Sequence, residues 1–281
     1  MVARNGTTAR VTEHPVDLVM RDSEETYYTG GGYEFPGYKL NAGLSPSGID
    51  LEGVLRASGI GRDQLMSGVW DGAKAYFFHT DWPSPKEDEE EIGKYLLSNI
   101  RLSDNRFVCD LIHLIDATNQ NTGRTVSPTC DWTLFDEDID GNIPPYHRSR
   151  CTGPRAAPDG PVLANFKVSG TVTHVADNKN WRDSGRAEAA DWFKFGQVKW
   201  LTGDNAGLKA LAVKSHAADG SIETYDPSYY AVQVGDTYEM IPGCNKIWDG
   251  DCRTKFNNNI NFGGDPTVLS SSQYGQIGRG G

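Results

Sequence analysis

Hydrophobic and polar residues alternate over short segments, a pattern that predicts a chain built mainly from β-strands. Early segments of this kind are VDLVM, TYYTGGGYEFPGYKL and GIDLEGVLRAS, followed by LMSGVWDGAKAYFFHTDW, which we interpret as a hairpin. Two strands joined at the turn formers Ser103, Asp104 and Asn105 are predicted in NIRLSDNRFVCDLI. One short helix that ends at Gly123 is predicted in HLIDATNQNTG.

The second part of the chain begins with a proline-rich tract over residues 126–161 that is too interrupted to form a regular element. Four alternating segments follow it, namely NFKVSGTVTHV, WFKFGQVKWL, GLKALAVKSHAADGSIETY and YYAVQVGDTYEM. Residues 217–220 of the third segment predict a hairpin turn. The predicted fold is therefore mainly β, with two β-rich domains of barrel or meander type (residues 1–125 and 126–281), few short helices and long loops.

Composition and charge narrow the class of protein. The 32 glycines and 14 prolines fit long loops. The formal net charge of −11 argues against nucleic-acid binding, because affinity for a phosphate backbone comes from clustered lysine and arginine. The dense acidic run Glu87–Glu91 is predicted to be a solvated loop or the first turn of a helix. The sequence shows no signal peptide and no membrane-spanning run, so we expect a soluble chain made in the cytoplasm.

Five cysteines, an odd number in a chain without an export signal, favour reduced thiols over a disulfide framework. Cys109 lies in the alternating strand RFVCDLI and is predicted to be a small buried hydrophobic residue. Cys130, Cys151, Cys244 and Cys252 lie in loops rich in proline and glycine, but their spacing lacks the short C-x2-C pairs of ordinary zinc sites. From the residues alone, three alternatives stay open for these four cysteines: a metal or cluster site, free thiols, or disulfides.

The carboxy-terminal stretch GDTYEMIPGCNKIWDGDCRTKFNNNINFGGDP resembles the signature of a family of baseplate hub proteins. That family comprises baseplate hub proteins of long-tailed phages and gene transfer agents and is similar to the tail-tip L protein of lambda-like phages. The matching residues are Gly235, Asp236, Gly243, Cys244, Lys246, Cys252, Phe256, Asn258, Asn261, Phe262, Gly264 and Pro266. The amino-terminal stretch GVLRASGIGRDQLMSGVWDGAKAYFFHTDW resembles the same family more loosely.

The resemblance implies a structural, non-enzymatic protein of the virion tail tip that is assembled in the host cytoplasm. It implies a homotrimeric ring that closes the tail tube and joins the distal tail protein to the central tail-tip or fibre hub proteins. The genome would pass through this ring without sequence-specific binding.

The resemblance also implies an iron–sulfur cluster, expected to be 4Fe-4S with zinc as the alternative, that organises the second domain. Its implied ligands are Cys130, Cys151, Cys244 and Cys252. The last two match the family's second cysteine pair. The first pair departs from the pattern, because Cys151 follows about twelve residues late and phenylalanine replaces an expected glycine. An insertion of roughly EDIDGNIPPYHR restores the register, at little cost in loop closure entropy.

That insertion contains a competing motif. Asp136, Asp138 and Asp140 stand ahead of Gly141 as in calcium-binding loops, but the twelfth position holds His147 where a bidentate glutamate is needed. A solvated acidic turn is the simpler interpretation.

Two other functions stay open as alternatives. A cysteine peptidase acting on peptidoglycan would need a thiol beside a histidine base, such as Cys109 with His113 or Cys151 with His147, although the six histidines form no recognisable motif. A carbohydrate-binding module would use a platform of aromatic rings; closely spaced aromatic residues in β domains more often form the core. The candidate platform is Trp181, Trp192, Phe193, Phe195 and Trp200.

Overall fold

The structure is a computed structural model, which describes residues 1–29, 48–54, 60–104, 106–113, 126–142, 151–154 and 157–268. It divides into two compact units, Met1–Thr122 and Gly123–Gly281. The predicted helix that ends at Gly123, most of the glycine-rich segment after Tyr28, and His147 lie outside the described residues. The predicted domain limits, 1–125 and 126–281, stay a prediction.

Unit 1 contains a two-stranded and a four-stranded antiparallel sheet. The small sheet pairs β1 (Leu18–Val19) with β2 (Thr26–Tyr27). In the large sheet the strands follow the spatial order β3 (Gly48–Val54), β6 (Arg106–His113), β5 (Glu90–Leu102) and β4 (Lys74–His79). Every second residue of β6 is buried, at Phe107, Cys109 and Leu111, which places one face of the strand in the core. The buried position predicted for Cys109 is confirmed.

Two predictions for unit 1 are wrong in part. The hairpin expected in residues 65–82 is a helix, α1 (Arg62–Met66), followed by turns and the single strand β4. The helix begins where the backbone N–H of Gly61 donates to the side chain of Gln64, a cap that alternation does not reveal. In the acidic run, Glu90 and Glu91 open strand β5, while Glu87 accepts a hydrogen bond of 2.6 Å from the Tyr27 hydroxyl.

Unit 2 is built on a seven-stranded antiparallel sheet, preceded by the one-turn helix α2 (Leu163–Phe166). Within the described residues the spatial order is β7 (Val168–Thr171), β13 (Thr237–Ile241), β10 (Gln197–Trp200), β11 (Leu211–His216), β12 (Ser221–Thr224), β9 (Asn180–Arg182) and β8 (His174–Val175). The predicted turn at residues 217–220 joins β11 to β12. The prediction of a mainly β chain with few short helices is confirmed.

Most of the aromatic set in unit 2 forms the core. Trp181, Phe193 and Trp200 are buried, and the rings of Trp181 and Tyr238 meet edge to face with their centres 4.6 Å apart. Only Phe195 is well exposed. The interpretation of these residues as core is therefore correct for the three buried rings, which cannot form an open platform for a sugar.

Candidate functional site

Three segments of unit 2 bring Cys130, Cys151, Cys244 and Cys252 to the wall of one small cavity, and Cys252 ends the short helical turn Trp248–Cys252. All four are free thiols, and the cavity is completed by Trp132, Leu134, Lys246, Phe256, Asn258 and Asn261. No repeating backbone ladder joins these loops, since the segments carrying Cys130 and Cys151 have no strand or helix among their described residues. Side chains and isolated backbone hydrogen bonds hold them together instead.

Lys246 connects the loop of Cys130 to the loop of Cys244. Its carbonyl oxygen accepts a hydrogen bond of 3.0 Å from the backbone N–H of Cys130, and its own N–H donates to the Cys244 sulfur at 3.4 Å. Its ammonium group donates to the carbonyl oxygen of Trp132. The backbone of Lys246 is left-handed, with φ of +64°. One residue thus fixes the position of two cysteines.

The sulfurs receive further hydrogen bonds from the carboxy-terminal segment. The backbone N–H of Gly263 donates to the Cys130 sulfur at 3.3 Å, and the side-chain amide of Asn258 donates to the Cys151 sulfur at 3.2 Å. The Cys252 thiol donates to the carbonyl oxygen of Asn258 at 3.4 Å. N–H groups directed at sulfur suit thiolates, whose negative charge they stabilise.

Lys255 closes one side of the site. Its ammonium group donates to the carbonyl oxygen of Gly243 at 2.8 Å and lies 5.3 Å from the ring centres of both Trp192 and Phe256. Burial among these rings lowers the pKa of the lysine. The residue therefore anchors the chain just before Cys244 to the aromatic edge of the core.

Burial raises the pKa of three of the thiols. The pKa of Cys151 rises to about 12 and that of Cys252 to about 11, and the pKa of Cys244 is also raised by burial. Without a bound cation these thiols are therefore neutral at physiological pH, which makes them poor nucleophiles and means that a metal must displace protons to bind.

The structure gives no support to the cysteine peptidase. Burial raises the pKa of Cys109 to about 12. His113 lies four residues further along the same strand, a separation of about 13 Å at 3.3 Å per residue, so it cannot act as the base for this thiol. The partner suggested for Cys151, His147, lies outside the described residues.

The acidic turn has a structural use that differs from calcium binding. Asp136 accepts from the Thr152 hydroxyl at 3.0 Å, and Asp138 accepts from the backbone N–H of Asn142 at 2.8 Å. Asp140 forms an ion pair of 3.2 Å with Lys199 and accepts from the backbone N–H of Ala210 at 3.1 Å. Because the three carboxylates bond to different partners, the turn is an ordered attachment of the loop to β10 and its neighbours, not a solvated one.

In the part of the chain that the structure describes, no group of three or more His, Cys, Asp or Glu side chains is arranged to hold a metal ion. The four cysteines surround a common space without meeting the geometry of a site for a single ion. No helix of the described residues is long and apolar enough to cross a membrane.

Comparison with known proteins supports the predicted resemblance. Residues 1–138 match the family described as baseplate hub protein, N-terminal attachment domain. Residues 191–271, which contain the carboxy-terminal cysteine pair, match the family described as phage conserved hypothetical protein BR0599. The first match bears out the predicted resemblance to the phage baseplate hub proteins. The chain is a structural hub protein of a virion tail tip, as the sequence predicted.

A solved structure shares the fold of this hub protein. It is a chain of the "Virion of native gene transfer agent (GTA) particle", with a TM-score of 0.70 and 24% sequence identity, and the alignment covers 92% of this chain and 82% of that chain. No curated protein sequence matches the hub protein.

Sequence reasoning grouped the four cysteines but assigned no role to the residues that orient them. In the sequence, Lys246, Asn258 and Asn261 are identified only as matching positions of the carboxy-terminal signature, without contacts to the cysteines. Their common signal is that polar residues recur beside the cysteines in a segment whose regular structure is limited to the short helical turns Trp248–Cys252 and Asn259–Asn261, where buried polar groups need partners.

Proposed function

We propose that three copies of this hub protein form a ring that closes the tail tube and joins the distal tail protein to the central tail-tip or fibre hub proteins. The observation that carries this proposal is the match of residues 1–138 to the attachment domain of baseplate hub proteins. The fold shared with a chain of a gene transfer agent virion supports it.

A cyclic trimer needs a heterologous interface, in which each copy presents two different and complementary surfaces. The net charge of −11 suits a ring around a DNA exit path, because a negative lumen repels phosphate and lets the genome pass without adhering. Such a role requires no catalysis, and we assign the protein no enzymatic activity.

Cryo-electron microscopy of the intact particle tests the assembly, because an isolated subunit can stay monomeric until its neighbours are present. We expect three copies around the tail axis, at the junction between the tube and the central tip. Six copies, or a location on a peripheral fibre away from the axis, would contradict the hub role proposed here.

The second part of the proposal is an iron–sulfur cluster, most simply 4Fe-4S, bound by Cys130, Cys151, Cys244 and Cys252. Three observations support it: the four cysteines line one cavity, none is in a disulfide, and N–H groups donate to the sulfurs of Cys130, Cys151 and Cys244. Thiolates are ligands of iron–sulfur clusters and of zinc alike, and the resemblance of the carboxy-terminal signature favours the cluster. When bound, the cluster would cross-link loops that have little backbone pairing of their own.

Anaerobic purification followed by analysis of iron, acid-labile sulfide and zinc tests this assignment. We expect a brown protein with iron and sulfide, and a Cys252→Ser variant that loses most of both. The matched control is Cys109→Ser, which removes a buried thiol from unit 1 and leaves the iron content unchanged. Zinc without visible absorbance would replace the cluster by a zinc ion bound to the same four thiolates, and a metal-free protein would refute both.

A further inference from the structure

Asn258 joins a loop from each cysteine pair. It is almost completely buried, with 2% of its surface exposed. Its side-chain nitrogen donates to two atoms of Cys151, the carbonyl oxygen at 2.6 Å and the sulfur at 3.2 Å. Its backbone bonds to Cys252, since its N–H donates to the Cys252 carbonyl oxygen at 2.8 Å and its own carbonyl accepts from the thiol. Asn258, which lies 107 residues beyond Cys151 in the chain, therefore connects Cys151 to Cys252.

A neighbouring amide fixes the orientation of the Asn258 side chain. Asn261 donates from its side-chain nitrogen to Oδ1 of Asn258 at 2.8 Å and to Oδ1 of Asp159 at 2.9 Å. Because an oxygen must face Asn261, the nitrogen of Asn258 must face Cys151. The chain of polar contacts from Asp159 to Cys151 thus presents both N–H groups of one buried amide to one cysteine.

We propose that Asn258 is a positioning residue of the cysteine site, which holds Cys151 in register with Cys252 and gives the Cys151 sulfur a hydrogen bond that raises the reduction potential of the bound cluster. This inference rests on the proposed iron–sulfur cluster. A hydrogen bond to a ligand sulfur stabilises negative charge, and reduction adds one negative charge, so the reduced state gains more from the bond than the oxidised state does.

Among the hydrogen-bond donors to the cysteine sulfurs in the described residues, Asn258 is the one that a substitution can remove. The N–H donors to the sulfurs of Cys130 and Cys244 belong to the backbones of Gly263 and Lys246, which a substitution leaves in place. The donor to Cys151 is a side chain. A neutral residue of similar size, or an isosteric residue without N–H groups, can therefore remove the hydrogen bonds that this side chain donates to Cys151 while the four cysteines are kept.

The experiment compares the full-length wild type with Asn258→Leu and Asn258→Asp, all purified anaerobically. Both variants lose the donor but only the second adds a charge, so a shift shared by both reports the hydrogen bond. After iron and sulfide analysis, each protein is titrated with dithionite as the electron donor, and the midpoint potential is read from visible absorbance and electron paramagnetic resonance. We expect both variants to have lower midpoint potentials than the wild type and altered resonance spectra.

The control is Asn259→Ala, which removes the same type of side chain one residue further on, where Asn259 makes no side-chain hydrogen bond within the described residues. It should match the wild type. If neither Asn258 variant folds, Asn261→Ala provides the test. It keeps the Asn258 amide as a donor but removes the hydrogen bond that orients this amide. It should therefore lower the midpoint potential by a smaller amount. Loss of iron from a natively folded Asn258 variant also supports the positioning role.

The two proposals fail in different ways. A wild type without iron overturns the cluster and this inference together. A wild type with iron, combined with Asn258 variants whose iron content and potential are both unchanged, overturns the role of Asn258 alone.

Discussion

Two glycines of the carboxy-terminal signature are needed for different physical reasons. Gly235 has a φ of +99°, a conformation that side chains rarely adopt, but a Cβ there would meet nothing within 4 Å. Gly243 has no such backbone requirement; a Cβ there would lie 1.9 Å from the backbone carbonyl carbon of Phe195. The backbone conformation at Gly235 and the close packing at Gly243 both require glycine, so the sequence alone does not distinguish the two causes.

The difference predicts unequal effects of the same substitution. Gly235→Ala should cost about 1–2 kcal/mol of unfolding free energy, the strain of a left-handed alanine. Gly243→Ala should cost about 3 kcal/mol or more, because backbone atoms must move to admit the methyl group. It should also lower metal content by displacing Cys244, which Gly235→Ala should not. Urea unfolding of both variants, with iron analysis, measures these effects; equal costs would show that the contact with Phe195 is easily relaxed.

At the level of elements, regular alternation predicted the strands that bury one face. The hairpin of β11 and β12 and the turn between β5 and β6 follow from period-two patterns around turn-forming residues. Helix α1 was missed because five residues are too few for a helical period to show, and its start depends on the side chain of Gln64. Strand β9 was missed because three residues, with Trp181 alone buried, give no alternation.

The cysteine loops could be grouped from sequence only through the resemblance to a family. Twenty residues separate Cys130 from Cys151, and their approach depends on Lys246 and Asn258, which lie about a hundred residues further along the chain. Local patterns contain no information about such long-range contacts. The signature did mark the residues that make them, without indicating which atoms they contact.

At the scale of the whole molecule, each unit has a core of its own. Unit 1 is centred on Trp70, Tyr95 and Phe107, and unit 2 on Trp181, Phe193 and Tyr238. The loop of Cys130 contributes Phe135 and Ile139 to a small separate cluster with Ile241, while the other cysteine segments contribute no residue to either main core. The order of the cysteine segments depends on isolated hydrogen bonds, such as that from the N–H of Asp265 to the carbonyl of Ser127 at 2.8 Å.

Removing the proposed cluster should therefore loosen one part of the molecule selectively. A site whose ligands come from separate segments couples metal loss to local unfolding, and segments held mainly by isolated hydrogen bonds open at low free energy. After the cluster is stripped with acid and chelator and the protein is returned to neutral pH, hydrogen exchange should accelerate in residues 126–142 and 243–263. Exchange in strands β5 and β6 should be unchanged, which makes unit 1 the internal control. Unchanged exchange in the cysteine loops after complete metal loss would mean that the hydrogen bonds alone hold them, and that the cluster does not organise the second unit.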